Sequence, residues 1–120
     1  MLMMEIFGEW PDLVEYAKGD VIFNEQDPAD CMYVVTKGEV EVSLKGEPLG
    51  AELPGGLIGE MAMINAKFRS ATAVAIQPST LARINREQFR EVIIKSPDCA
   101  LHVMSVLANR LRVANMLLAG

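Results

Sequence analysis

Between Leu13 and Leu53 the apolar residues come in short runs separated by turn formers, a pattern of strands and not of helices. Val40, Val42 and Leu44 alternate with Glu39, Glu41 and Ser43, so one face of that segment is apolar and the other polar. The pattern predicts strands over Leu13–Tyr16, Val21–Phe23, Met32–Thr36, Val40–Leu44 and Leu49–Leu53. Breaks fall at Lys18-Gly19-Asp20, Asp27-Pro28-Ala29-Asp30, Lys37-Gly38 and Lys45-Gly46-Glu47-Pro48. A further pair of strands is expected over Ser70–Ile76 and Thr80–Ile84, turned by Gln77-Pro78-Ser79.

The period then changes. Asn85 is a favoured N-cap for a helix opening Arg86-Glu87-Gln88-Phe89 and running to about Lys95. Ser96-Pro97 punctuates, and a last helix is expected from Asp98 to near Leu118. It carries two apolar stripes: Ala100, Met104, Leu107, Leu111, Ala114 and Leu118, then Val103, Val106, Val113 and Leu117, with Arg110 interrupting the second. A helix packed only on its own domain needs one stripe, so the second predicts another helix as partner, a symmetric copy in the simplest case. A fully buried terminal helix is the competing reading. At the other end, Met1 to Trp10 is apolar but short, either a helical turn or an extended lead-in lying on the surface.

Composition narrows the field. A chain of 120 residues suits one domain spanning 1–120, with a lead-in over 1–12, strands over 13–85 and helices over 86–120. Hydrophobic residues make up 51% yet never run to the roughly 18 that a membrane span needs. The start, Met1-Leu2-Met3-Met4-Glu5, has no secretory pattern, and the expected location is cytoplasmic. A net charge of −5 argues against nucleic acid as a direct partner, and no membrane partner is expected. Cys31 and Cys99 sit far apart among apolar residues and read as buried thiols. His102 is the only histidine, too few for a metal centre of the cupin kind, and no nucleophile elbow or Cys/His pair suggests an enzyme.

The chemistry concentrates in residues 55–73, beginning Gly55-Gly56-Leu57-Ile58-Gly59-Glu60-Met61-Ala62 and closing Phe68-Arg69-Ser70-Ala71. Three glycines in five residues let backbone amides crowd together, and the apolar run after them suits one or two helical turns. A guanidinium nine residues after Glu60 can clamp an anion's oxygens, and the Ser70 hydroxyl adds a donor. Taken singly, Arg69 is a strand-end arginine and Glu60 a carboxylate at a helix start.

Together, Gly59-Glu60-Met61-Ala62 and Arg69-Ser70-Ala71 resemble the phosphate-binding cassette of the cyclic nucleotide-binding domain family, which includes bacterial catabolite activators and the regulatory subunits of cyclic-nucleotide-dependent kinases. The resemblance extends over nearly the whole chain, with Gly19, Gly38 and Gly59 at the family's turn positions. Phe68 replaces the family's usual proline, and Gly56 an acidic residue. The resemblance implies a mainly β fold with α: an antiparallel jelly-roll β-barrel, a short cassette helix and two C-terminal helices. It implies that Glu60 binds the ribose 2′-hydroxyl, that Arg69 pairs with the cyclic phosphate, and that Ser70 with the amides around Ile58, Gly59, Met61, Ala62 and Ala71 completes the cradle. In catabolite activators the positions matching Ala114 and Asn115 carry hydroxyls that reach the adenine; the Asn115 amide can still read a purine edge, and Ala114 cannot. The function implied is a cyclic nucleotide sensor without catalytic cofactor, its ligand cAMP with cGMP as second candidate, dimeric through the last helix and acting on a protein effector. The rival is a barrel of the same kind that binds no nucleotide and serves as an interaction module, with Phe68 filling the pocket.

Overall fold

The computed structural model describes residues 2–119, with side chains given as far as Met116. Eight strands, β1 (Leu13–Tyr16), β2 (Val21–Phe23), β3 (Cys31–Lys37), β4 (Val40–Leu44), β5 (Glu47–Glu52), β6 (Leu57–Ile58), β7 (Thr72–Ala75) and β8 (Ser79–Asn85), form two four-stranded antiparallel sheets. One has the order β1-β8-β3-β6 and the other β2-β7-β4-β5, so the jelly roll is two facing sheets and not one hydrogen-bonded ring. Three helices accompany them, α1 (Leu2–Phe7), α2 (Arg86–Lys95) and α3 (Pro97–Ala119), and a 3₁₀ turn at Glu60–Met63 stands where the cassette helix was expected.

The core has two layers because β3 is covered on both faces, with six successive buried residues. Cys31, Tyr33 and Val35 point between the sheets against Phe23, Val40, Ile58 and Ala73. Met32 and Val34 point the other way, into a layer shared with Phe89, Val92, Cys99 and Val103 of the helices. Asn85 caps α2 as expected: its side chain accepts from the Gln88 amide at 2.8 Å while Gln88 Oε1 accepts from the Asn85 amide at 2.9 Å.

Of the two readings of the amino-terminal segment the helical one holds, and Met3 and Phe7 go further than the surface, being fully buried beneath β3 and β8. Three expectations need correction. Strand β5 begins at Glu47 and not at Leu49, because Lys45 and Gly46 alone turn the hairpin with φ of 52° and 82°. Pro48 is tolerated there because β5 lies at a sheet edge. The apolar run opening the cassette begins as β6, paired with Tyr33 and Val34, before the 3₁₀ turn. The strand expected over Ser70–Ile76 is shortened to β7, its start drawn off by loop contacts described below.

The last helix packs through Cys99, Val103, Val106 and Leu107, then leaves the body. Residues 111 to 116 are exposed on every side, as are Leu101 and Met104, so the terminal helix is not fully buried. The side chains of Leu117 and Leu118 lie outside the described residues. Since Phe7 is a fully buried aromatic, Phe7→Ala should lower the free energy of unfolding by about 3–5 kcal/mol. Urea denaturation measures this; a loss within about 0.5 kcal/mol, the range of surface substitutions, would place α1 outside the core.

Candidate functional site

Gly59 joins β6 to the 3₁₀ turn with φ 73° and ψ 23°, a left-handed conformation that favours glycine. A Cβ at this position would also collide with Nη1 of Arg69. The backbone thus passes directly over the guanidinium, which is why the cassette needs glycine here.

Arg69 is held from its other side by the loop before β3. Its amide donates to the Asp27 carbonyl at 2.8 Å, its carbonyl accepts from the Gln26 amide at 2.9 Å, and Pro28 bridges Phe68. These contacts fix the backbone from which the side chain turns inward, 5% exposed. The guanidinium carbon lies 4.2 Å from the centre of the Phe23 ring and 5.9 Å from that of Tyr33. Nη2 donates weakly to Cys31 Sγ at 3.4 Å. Nε and Nη1 reach no acceptor among the described residues. A stacked cation gains about 0.5–2 kcal/mol, whereas desolvating it costs several, so this buried charge is under-compensated.

Arg69, Phe23, Cys31 and Tyr33 border a cavity of about 520 Å³, lined also by Asp12, Asp27, Asp30 and Arg83. Burial first, and then neighbouring Cys31, pushes the Tyr33 phenol far above its ordinary range, leaving it a neutral hydroxyl. Within that lining Asp12 and Arg83 pair at 2.9 Å.

Glu60 is also buried, 4% exposed, but uses a different partner. Arg110, from α3, donates through Nη1 to Glu60 Oε1 and through Nη2 to Glu52 Oε1 at 2.8 Å and to the Leu57 carbonyl at 3.0 Å. On the far side, Arg86 of α2 donates to the Ala62 carbonyl at 2.8 Å. Both helices therefore hold the cassette, one at each end of its turn.

Of the expected site residues, Ile58, Ala62 and Ala71 are buried supports, Met61 is 39% exposed, and Ser70 is exposed beside Arg69. Asn115 is exposed on the projecting part of α3, and among the described residues no hydrogen bond or ion pair joins it to the cassette. Phe68 is 57% exposed and does not fill the cavity. The one sign of Arg110's role in the sequence is that its charge interrupts an apolar stripe of the last helix. Replacing Arg110 with Met strands the Glu60 carboxylate, so stability should fall by about 1.5–3 kcal/mol, with partial recovery in the Arg110→Met, Glu60→Gln double variant. Additive losses in denaturant titrations would show that the pair is uncoupled.

The sequence model described as "Cyclic nucleotide-binding domain" matches residues 13–96. The "Cyclic AMP receptor protein" of Thermus thermophilus is 34% identical over 106 residues, which cover 84% of this chain and 49% of that protein. The crystal structure of the Thermus thermophilus catabolite activator protein superposes with a TM-score of 0.81 at 31% identity, covering 98% of this chain and 55% of that one. The EAL enzyme Bd1971 in its cAMP-bound form gives a TM-score of 0.63 at 34% identity, covering 86% of this chain and 29% of that one. The chain thus spans about half the length of the first of these relatives and less of the last.

Proposed function

The chain belongs to the cyclic nucleotide-binding domain family, and from that premise we propose that it is a cAMP-responsive sensor module whose ligand phosphate pairs with Arg69. The observation that carries this reading is the guanidinium itself, 5% exposed with Nε and Nη1 unmatched beside a cavity large enough for a ligand. An anionic phosphate supplies the acceptors that the protein does not. The name of the Thermus relative favours cAMP, and cGMP remains the second candidate. Glu60 gives one carboxylate oxygen to Arg110, and its other oxygen is the acceptor for the ribose hydroxyl.

The same carboxylate links ligand to helix. A ribose hydroxyl donating to Glu60 changes the acceptor set that Arg110 holds, so nucleotide biases the seating of α3 through contacts that differ between two arrangements. The module itself carries no catalysis; its output passes through α3 to an effector.

Calorimetry with cAMP tests the assignment. Truncating one member of a desolvated charge pair costs about 2–5 kcal/mol, so Arg69→Ala should lose about 30- to several thousand-fold in affinity. Near-normal affinity in a folded Arg69→Ala protein would refute it, and a wild type that binds no nucleotide would favour the pure interaction module.

Dimerisation through α3 is the second part of the proposal. Leu107 is half-buried against the core, so the seam is Leu101, Met104, Ala108 and Leu111, spaced three, four and three residues apart as in a coiled coil. Asn115 continues that spacing. Leu111 is 62% exposed, so Leu111→Glu should halve the mass seen in light scattering while the circular dichroism spectrum stays native. A wild type that stays monomeric at high concentration, with and without cAMP, would refute the dimer.

A further inference from the structure

We propose that Cys31 is a peroxide-oxidisable thiol that gates the Arg69 site, its sulfenic form taking the guanidinium as counter-ion. The idea rests on the reading of Arg69 as an anion receptor but concerns a different residue and a different chemistry.

Three observations meet at this sulfur. Cys31 Sγ lies 3.4 Å from Arg69 Nη2, inside the charge's immediate shell. Arg69 is 5% exposed, and its Nε and Nη1 have no acceptor among the described residues. Cys31 is itself 7% exposed but borders the cavity of about 520 Å³, which gives a small polar oxidant a route to it.

A thiol is a poor acceptor for a guanidinium, and its oxygenated forms are good ones. In the reaction the Cys31 sulfur attacks one oxygen of hydrogen peroxide. The S–O bond forms, the O–O bond breaks, and the departing hydroxide leaves as water with the thiol proton. Sulfur is oxidised by two electrons, and peroxide is reduced to water. The new oxygen is carried by a sulfur 3.4 Å from Nη2 of the same guanidinium, and its ionised form neutralises the charge that the phosphate would otherwise meet. Oxidation and nucleotide therefore compete for one guanidinium, and thiol reductants restore binding.

Cys99 provides the internal control. It is fully buried in the helix-side layer, burial pushes its thiol up, and it borders neither cavity nor cation. The test treats the whole chain with limiting hydrogen peroxide in the presence of a dimedone probe and reads each cysteine by peptide mass spectrometry. Cys31 should label several-fold faster than Cys99, saturating cAMP should protect it, and Arg69→Met should cut its labelling several-fold while Arg69→Lys retains most of it. Calorimetry after oxidation should show at least about tenfold weaker cAMP binding, reversed by dithiothreitol, as expected when a charged partner is occupied. Peroxide should leave the affinity of Cys31→Ser where it was before treatment. Labelling no faster than at Cys99, labelling indifferent to Arg69→Met, or oxidised protein that binds cAMP normally would each overturn the proposal. Untreated wild type that binds no cAMP would refute the phosphate reading alone, since the labelling comparison is read without nucleotide.

Discussion

The site depends on one constraint: a guanidinium has been taken out of water and given too few acceptors. Among the described residues, stacking of Arg69 on Phe23, the more distant ring of Tyr33 and a weak bond to Cys31 are its compensation from side chains. That arrangement survives because the backbone on both sides is pinned, by Asp27 and Gln26 in one direction and by the close pass of Gly59 in the other. A cation held so rigidly loses little further freedom when an anion arrives, so most of the electrostatic gain appears as affinity. In the proposed function, the same under-compensation that weakens the unliganded fold is what makes the ligand's charge worth binding.

Arg110 extends this local chemistry to the rest of the molecule. Three acceptors on the cassette side converge on one side chain of α3, and beyond it residues 111 to 116 are exposed. The cassette therefore grips α3 just where the helix leaves the core. Seven residues earlier, Val103 fixes the helix by apolar packing, which is indifferent to charge. In the proposed function a perturbation at Glu60 reaches the distal half of α3 through Arg110, and the exposed apolar residues there are the surface on which a change of seating would be felt.

Much of this was legible in the chain, because the relevant signals are local. The Asn85–Gln88 capping box, the alternation from Val40 to Leu44, and the spacing of Gly59, Glu60 and Arg69 each lie within one element or one loop. The failures are of longer range. β6 is two residues long, and its strand character comes from pairing with Tyr33 and Val34, not from any period of its own. α1 has too few turns to announce itself, and it is stable only because Met3 and Phe7 reach a core built by residues 32 to 103. Arg110 is the residue of α3 that hydrogen-bonds to the cassette, and no local pattern points to that contact; Asn115, five positions later, lies on the exposed part of the same helix. Only the tertiary fold brings Arg110 to Glu60, fifty residues away in sequence.

The central claim, that Arg69 binds the phosphate through its unmatched N–H groups, can be watched at the atom concerned. In a proton–nitrogen correlation spectrum, the Arg69 Nε–H resonance should move strongly downfield as cAMP is added, the signature of a new bond to an anionic oxygen. Adenosine, which has the base and sugar without the phosphate, should leave it in place. A resonance unmoved at saturating cAMP, or displaced equally by adenosine, would contradict the account.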